Sequence, residues 1–292
     1  MSKQINSKKV KTALVLEGGG MRGAYTAGCL SWLIDQGIEF DNAYGISTGA
    51  IHLTNYLMKH QQDLKDFATD YIADKKAVGI RSLLRTGRIV DYDYLFDKRM
   101  VTDLHFSLDD LKNSPTDSYL GLYDLAKGKT CYKPMKDADV EELKASTTLP
   151  ILGKTIVHEG REILDGGITD MIPIGKAVED GCDRFLIITT KPGDYVRKPA
   201  KPIIVWLMKK VYPQCENISR DYRDRHLNYR KQIDLIKSLE EEKKAVYIFP
   251  SHSSKATRLG GSKQDLLELY ELGRSDMEQR KDEIFSLLNK NA

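Results

Sequence analysis

A serine between two glycines is the residue of this sequence whose setting most directly suggests chemistry. Residues 45–49 read Gly-Ile-Ser-Thr-Gly, between a strand-like stretch and a helical pattern. In that context a G-x-S-x-G motif places its serine on a sharp, strained turn with the hydroxyl exposed, and the small neighbours let strand and helix pack around it. The positive end of the following helix also favours negative charge that develops near Ser47. The motif predicts a nucleophilic serine, although an isolated match is more often a chance loop.

A glycine-rich loop precedes this motif. Residues 14–28, LVLEGGGMRGAYTAG, lie between a predicted strand and a predicted helix. Each glycine inside a helix costs roughly 1 kcal/mol relative to alanine, so these glycines serve conformation or access. A loop beside Ser47 could direct backbone N–H groups at the oxyanion of an acyl-transfer intermediate, where each donor typically lowers the barrier by roughly 3 to 4 kcal/mol.

The same glycines allow two other interpretations. Gly18, Gly20 and Gly23 satisfy the dinucleotide-binding pattern G-x-G-x-x-G, but that fingerprint also requires an acidic residue at the end of the second strand. Asp41 precedes that strand, which ends in GIST, and no G-K-[ST] follows the glycines to make a P-loop. The second interpretation, which stays open, is that the glycines form a tight turn whose only role is to let the helix and the sheet approach each other.

A serine nucleophile needs a base. Asp165, in REILDGG, is the best acidic candidate because an apolar strand delivers it to a sheet edge and two glycines clear space beside it, although Asp-Gly pairs are also common in turns. A carboxylate could take the serine proton directly. None of the histidines has a strong local signal, and only the last has the chain order of a Ser-Asp-His triad; they are His52, His60, His105, His158, His226 and His252.

The elements that must position these residues alternate between strand and helix signals. Strands are predicted at residues 12–18, 42–47, 183–190 and 245–251, with a hairpin turning at Glu159-Gly160. Helices are predicted at residues 22–36, 49–73, 174–180 and 263–290, and residues 80–145 are predicted to mix helices with long loops. This order favours an α/β fold with a mostly parallel sheet and helices on both faces.

Composition excludes several classes of protein. The chain has 292 residues, a net charge of +3 and 30% charged residues, which gives no reason to expect nucleic-acid binding. Its four widely spaced cysteines contain no C-x-x-C pair and indicate reduced thiols, so we expect a cytoplasmic protein. We find no signal-peptide core and no stretch of ~18 apolar residues that could span a membrane.

Together, EGGGMRG, GISTG and LDGG, in this order and at these spacings, resemble the patatin-like phospholipases, bacterial members especially. ASTTLP, residues 145–150, is similar to a further segment of that family. The resemblance covers residues 10–190 and implies a three-layer α/β/α catalytic domain, with residues 191–292 as a mostly helical C-terminal extension packed on the same core. One departure is Thr48, where the family more often has alanine.

The resemblance also implies the roles of individual residues. Ser47 would be the nucleophile and Asp165 the base of a Ser-Asp dyad, which leaves no catalytic role for His252. Gly18, Gly19 and Gly20 match the oxyanion loop, and Arg22 matches the family's basic position. From its chemistry, the Arg22 guanidinium could contact a substrate phosphate or fix the loop by pairing with a nearby carboxylate.

The expected activity is hydrolysis of fatty-acyl esters, with an acyl lipid or other ester as substrate and with no cofactor and no metal. Two alternatives remain: a nucleotide-binding protein that uses the G-x-G-x-x-G loop, and a non-catalytic lipid-binding protein of the same fold.

Residues 197–212, RKPAKPIIVWLMKKVY, suggest peripheral contact with an anionic membrane surface. Basic residues there surround a short apolar core that contains Trp206, a pattern that suits a lipid interface. The competing interpretation is an ordinary helix that packs Ile203, Trp206 and Leu207 against the sheet.

Overall fold

A computed structural model describes residues 9–104, 106 and 109–289. Within these residues eight strands form one sheet, and they are β1 (Thr12–Leu16), β2 (Asn42–Ile46), β3 (Asp117–Asp124), β4 (Lys129–Pro134), β5 (Ile156–His158), β6 (Arg161–Asp165), β7 (Arg184–Ile188) and β8 (Ala245–Ile248). Hydrogen-bonded neighbours follow the path β5-β6-β3-β2-β1-β7-β8, and β4 also pairs with β3. Strands β2 and β6 pair with successive stretches of β3, residues 117–121 and 122–124, and β4 pairs with residues 119–124. The neighbouring strands β3, β2, β1, β7 and β8 are parallel to one another. Strands β4 and β6 pair antiparallel with β3, and β5 pairs antiparallel with β6. The expected mostly parallel sheet is confirmed.

Helices connect these strands. The α-helices are α1 (Gly23–Asp35), α2 (Thr48–Leu57), α3 (Gln61–Asp66), α4 (Ile80–Thr86), α5 (Asp109–Lys112), α6 (Val140–Thr147), α7 (Ile174–Glu179), α8 (Pro202–Val211), α9 (Ile218–Glu241), α10 (Lys263–Gln279) and α11 (Lys281–Leu287). Wider π-helical segments occupy Phe67–Tyr71 and Tyr94–Asp103, and single 3₁₀ turns occupy Gly20–Arg22, Met135–Asp137 and Gly166–Ile168. No helix in the described part of the chain is long and apolar enough to cross a membrane.

Strand β1 shows how the layers form. Its residues are buried on both faces, as expected for a central parallel strand. Leu14 and Leu16 join an apolar core that includes side chains of α1, α2 and α10, whereas Ala13 and Val15 join a second core that includes side chains of α7 and α9. Successive strand residues point to opposite faces, so one strand contributes to both cores. This arrangement confirms the predicted three-layer α/β/α fold.

Three sequence predictions need correction. Residues 80–145 contain β3 and β4, although only helices and loops were expected there. The helix predicted at residues 49–73 is divided into α2, α3 and the π-helical segment Phe67–Tyr71, with Lys59 at a positive φ of 60° between the first two. The helix predicted at residues 263–290 breaks at Arg280, and residue 290 lies outside the described residues.

Helix α10 packs unusually close to α1. A Cβ atom added to Gly28 would lie 1.9 Å from the carbonyl oxygen of Tyr270, and one added to Gly273 would lie 2.2 Å from that of Tyr25. The Tyr25 hydroxyl also donates a hydrogen bond to Asp276 at 2.9 Å. The two helices therefore touch along their backbones, which only glycine at the two contact points permits.

Candidate active site

Strand β3 aligns the two candidate catalytic residues. Strand β4 occupies one edge of β3, so β2 and β6 share the other edge, where Ile46 pairs with Gly121 and Asp165 pairs with Leu122. Because β2 runs parallel and β6 antiparallel to β3, their carboxyl ends meet at neighbouring residues of β3. Ser47, the residue after Ile46, is thereby brought next to Asp165.

The backbone of Ser47 has the strain expected of a nucleophile turn. Its φ of 55° and ψ of −130° are rarely adopted by a residue other than glycine, and it immediately precedes α2. A Cβ atom at Gly45 would lie 2.5 Å from Cα of Ala50, and one at Gly49 would lie 2.8 Å from the carbonyl oxygen of Glu17. The two glycines of the motif therefore let α2 pack directly on β1 and β2.

Asp165 is buried, with 2% of its surface exposed. Its Oδ1 accepts a hydrogen bond from the backbone N–H of Gly167 at 2.7 Å, while its buried Oδ2 has no partner with full hydrogen-bond geometry among the described residues. Burial raises the pKa of the Asp165 carboxyl, whereas the positive charge of Arg258, the Gly167 N–H and the nearby Ser47 hydroxyl lower it. One oxygen is thus held in place and the other is available to a proton donor.

The ASTTLP segment supports Asp165 through the backbone. The carbonyl oxygen of Thr148 accepts a hydrogen bond from the Asp165 N–H at 3.1 Å. The Tyr92 hydroxyl donates to the Thr147 carbonyl at 2.7 Å and accepts from the Leu149 N–H at 3.1 Å. The segment therefore fixes the position of the Asp165 backbone.

The glycine loop lies against Ser47, but two of its N–H groups already have acceptors. Gly18 donates to the Met171 carbonyl at 3.2 Å, and Gly19 donates to Oγ1 of Thr48 at 3.1 Å. Gly20 adopts a positive φ of 61°, where a Cβ atom would lie 2.2 Å from the Arg258 carbonyl oxygen. An oxyanion at Gly19 would have to replace the Thr48 hydroxyl, which is a side-chain acceptor and not a backbone carbonyl.

An apolar pocket opens on one side of Ser47. Its free interior is narrow, about 50 Å³. We call this the apolar pocket, and the side chains that define it include Met21, Ile51, Phe67, Tyr92, Phe96 and Leu149.

A second pocket, with a free interior of about 100 Å³, opens at Ser47 beside Asp165 and the glycine loop. We call it the cationic pocket, because its lining includes Arg22, Lys191, Arg197, Arg225 and Arg258. Ser47 and Arg258 line both pockets. Among the described residues Arg22 forms no ion pair with a carboxylate, so the carboxylate-fixing role considered for it has no support in these contacts.

The sequence analysis did not predict three of these cations as site residues, and it placed a fourth, Arg197, in the membrane-contact segment. Lys191, Arg225 and Arg258 follow no recognisable motif, and they come from separate segments of the chain. Arg197 was grouped with the membrane-contact segment, but its guanidinium lies over the ring of Tyr229 at 5.2 Å and lines the cationic pocket.

None of the described histidines lines either pocket. His252 is exposed, and His52 is buried in α2, where burial lowers its pKa to about 4. His105 lies outside the described residues. Asp139, Glu142 and His158 are close enough to share a cation, but Glu142 is already paired with Lys133 at 2.6 Å. That cluster therefore carries no argument for a metal.

Comparisons with known proteins agree with this architecture. Residues 14–178 match the family described as patatin-like phospholipase, and because this is more than half of the chain, the protein belongs to that family. Residues 215–289 match a domain of unknown function, DUF6363.

One curated relative and one solved structure extend the likeness beyond that segment. The uncharacterized protein YjjU of Escherichia coli (strain K12) is 26% identical over 273 residues, which are 90% of this chain and 75% of YjjU. The crystal structure of VipD from Legionella pneumophila is similar with a TM-score of 0.52 and 13% identity, covering 94% of this chain and 67% of VipD. This second likeness concerns the fold alone.

Proposed function

We propose that this protein is a serine hydrolase of fatty-acyl esters that uses a dyad of Ser47 and Asp165. The observation that carries the proposal is the meeting of β2 and β6 on one edge of β3. It brings a strained serine next to a buried carboxylate whose Oδ2 has no partner with full hydrogen-bond geometry among the described residues. Membership of the family supports a lipid substrate.

The proposed reaction has two halves. Oγ of Ser47 attacks the ester carbonyl while its proton passes to Oδ2 of Asp165, and that proton then goes to the leaving alcohol. Water deacylates the enzyme by the same route, with Asp165 accepting its proton. Raising the pKa of a carboxyl makes it a stronger base once ionised, so the burial of Asp165 is consistent with this role.

The oxyanion site is proposed to include the N–H groups of Gly19 and Gly20 and the first N–H groups of α2, whereas the Gly18 N–H already donates to the Met171 carbonyl. An N–H from the residue after the nucleophile is the usual second donor at such a turn. The apolar pocket would hold the acyl chain, since most of its lining side chains are hydrophobic and Ser47 is part of the lining.

The two alternatives fit these contacts less well. A Cβ atom at Gly23, the third glycine of the dinucleotide pattern, would lie 2.8 Å from Nε2 of His52, so this glycine serves helix packing. Backbone strain at Ser47 costs stability, and a protein that only binds lipid would gain nothing from it. A cytoplasmic location stays a prediction from cysteine spacing.

Labelling with a fluorophosphonate probe, followed by peptide mapping, tests the proposal. We expect covalent modification of Ser47 in the wild-type protein and none in Ser47→Ala. Ser146→Ala is a matched control, because Ser146 is a buried serine whose hydroxyl donates to the Leu143 carbonyl. Modification confined to other serines would reject Ser47 as the nucleophile.

A further inference from the structure

The cationic pocket is assembled largely by the C-terminal part of the chain. Arg22 comes from the glycine loop, whereas Lys191 and Arg197 follow β7, Arg225 lies on α9 and Arg258 follows β8. Four of the five therefore lie beyond residues 14–178, the segment that matches the patatin-like family. The family match alone does not account for this concentration of charge.

Most of these cations form no ion pair with a carboxylate of the described residues, although Asp165 lines the same pocket and feels the charges of Arg258 and Arg225. Lys191 contacts Oε1 of buried Glu17, but no ion pair joins Arg22, Arg197, Arg225 or Arg258 to a carboxylate in the described part of the chain. Nε of Arg197 and Nε of Arg225 are also buried without a hydrogen-bond partner there. Buried charges and donors without partners are costly, so a pocket of this kind is stabilised by an anion.

Arg225 is the most deeply buried arginine of the group, with 6% of its surface exposed. Its guanidinium donates to the Gly167 carbonyl and lies over the ring of Tyr222 at 4.8 Å. Burial and the positive charges of Arg258 and Arg197 lower the pKa of Arg225. These arginines therefore repel one another across the pocket, and a bound anion would relieve that repulsion.

The position of the pocket defines which part of an ester would reach it. Ser47 and Arg258 line both pockets, so an ester carbonyl at Ser47 would border both the apolar space and the cationic space. An acyl chain in the apolar pocket leaves the alcohol portion of the ester facing the cations.

We propose that the cationic pocket binds a phosphate monoester on the alcohol portion of the substrate, so that acyl lipids with a terminal phosphate, such as lysophosphatidic acid, are preferred. This proposal rests on the proposed ester hydrolysis. One planar guanidinium group can donate two parallel hydrogen bonds to two phosphate oxygens. A pocket with several guanidinium groups therefore binds a phosphate dianion more strongly than an uncharged headgroup. A choline headgroup would bring its own positive charge against the arginines.

The first experiment compares three substrates with the same oleoyl chain in identical nonionic micelles: lysophosphatidic acid, lysophosphatidylcholine and monoacylglycerol. We expect kcat/KM for lysophosphatidic acid to exceed that for each of the others by about tenfold or more, as charge-assisted hydrogen bonds to phosphate imply. Equal hydrolysis of all three would overturn the headgroup proposal and leave the hydrolase intact. Hydrolysis of none, and of no other acyl ester, would count against the proposed function itself.

The second experiment assigns the preference to the pocket. Arg258→Gln, and separately Arg197→Gln, should lower the ratio of kcat/KM for lysophosphatidic acid over monoacylglycerol by about tenfold. Arg220→Gln is the matched control, since this exposed arginine on α9 lies outside the pocket, and its ratio should stay at the wild-type value. An unchanged ratio in both pocket variants, with unfolding temperatures near wild type, would overturn the proposal.

A final arm separates a lipid headgroup from free phosphate. Inorganic phosphate should compete with lysophosphatidic acid and raise its KM, with an inhibition constant that weakens in Arg258→Gln. If phosphate instead changed kcat for monoacylglycerol and the wild type showed no preference among the lipids, the pocket would be a free-anion site and the headgroup proposal would fail.

Discussion

The backbone carbonyl of Arg258 accepts a hydrogen bond from the backbone N–H of Met21 at 3.1 Å. This contact attaches the loop after β8 to the glycine loop and holds the Arg258 side chain where it lines both pockets. The positive charge of Arg258 is also the largest influence that lowers the pKa of Asp165.

Removal of this charge should therefore change the pH dependence of catalysis. Asp165 must be ionised to act as a base, so kcat/KM on an uncharged ester falls as pH drops through its pKa. Arg258→Gln removes a cation that favours the ionised form, and the acidic midpoint should rise by roughly 0.5 to 1 pH unit. Arg220→Gln should leave the midpoint in place. A midpoint that moves down in Arg258→Gln would contradict the assignment of Asp165.

Ser47→Ala and Asp165→Asn should each lower kcat for a p-nitrophenyl ester by on the order of a thousandfold or more, because residues that act as one unit lose function together. The double variant should be little worse than either single one. Thermal unfolding temperatures check that each variant is folded. Near-full turnover by Asp165→Asn would reject the dyad.

Thr48→Ala tests the contact between its hydroxyl and the Gly19 N–H. Without the hydroxyl, an oxyanion no longer competes for this donor, and a hydrogen bond worth about 1 kcal/mol implies an increase in kcat of about fivefold. Thr48→Ser retains the hydroxyl and should behave as the wild type does. A loss of activity in Thr48→Ala would indicate that the hydroxyl itself stabilises the transition state.

His52 should make folding sensitive to acid. Its side chain is 1% exposed and its pKa is lowered to about 4 by burial, against about 6.5 in an unfolded chain. Between these pH values the unfolded state binds more protons than the folded state. Burial of neutral His52 therefore does not lower the free energy of unfolding above pH 6.5, and it lowers it by about 3 kcal/mol as the pH drops from 6.5 through 4. Denaturant unfolding at several pH values should show a flatter profile for His52→Gln. The exposed His252→Gln is the control, and equal profiles for both variants would contradict the prediction.

Helix α8 is proposed to contact anionic membranes. Ile203 and Trp206 are 57% and 54% exposed, so they do not pack against the sheet, and Met208 is the buried residue of the helix. Each lysine near an anionic surface contributes about 1 kcal/mol, so co-sedimentation with phosphatidylglycerol vesicles at low salt should weaken by about two to three orders of magnitude in the quadruple glutamine variant of Lys198, Lys201, Lys209 and Lys210.

The control for that experiment replaces four exposed lysines elsewhere, Lys75, Lys76, Lys112 and Lys136, and should bind vesicles as the wild type does after allowance for net charge. An equal loss of vesicle binding in both variants would mean that the effect comes from overall net charge, and it would reject α8 as the contact surface. Turnover of a soluble ester should be the same in both.

The alternation of strands and helices was readable from the sequence because buried parallel strands and helical faces have distinct apolar periods. Strands β1, β2, β7 and β8 follow that pattern, and the hairpin turn at Glu159-Gly160 has the two positive φ angles that it requires. Strand β3 was missed because DSYLGLYD, residues 117–124, includes polar residues and a glycine at positions that pair with β2 and β6.

Some residues of the candidate site could also be predicted from the sequence, and others could not. Ser47 and Asp165 lie in local motifs, so the sequence alone was enough to select them. Their meeting depends on β3, which lay in the segment without a clear pattern, and the arginines of the cationic pocket converge only through tertiary structure. A single arginine such as Arg258 has no local signature that separates it from a solvated surface residue.

The close contact of α1 with α10 has a consequence for biosynthesis. Helix α1 is made early, but its partner ends at Gln279, and the loop that carries Arg258 is made only shortly before. At synthesis rates of about 5–20 residues per second, the glycine-lined groove of α1 stays uncovered for on the order of ten to fifty seconds on the ribosome. Once residue 165 has been made, the nascent chain contains Ser47 and Asp165 but still lacks Arg258, which lines both pockets, so the proposed hydrolysis would begin only after the loop that follows β8 has been made.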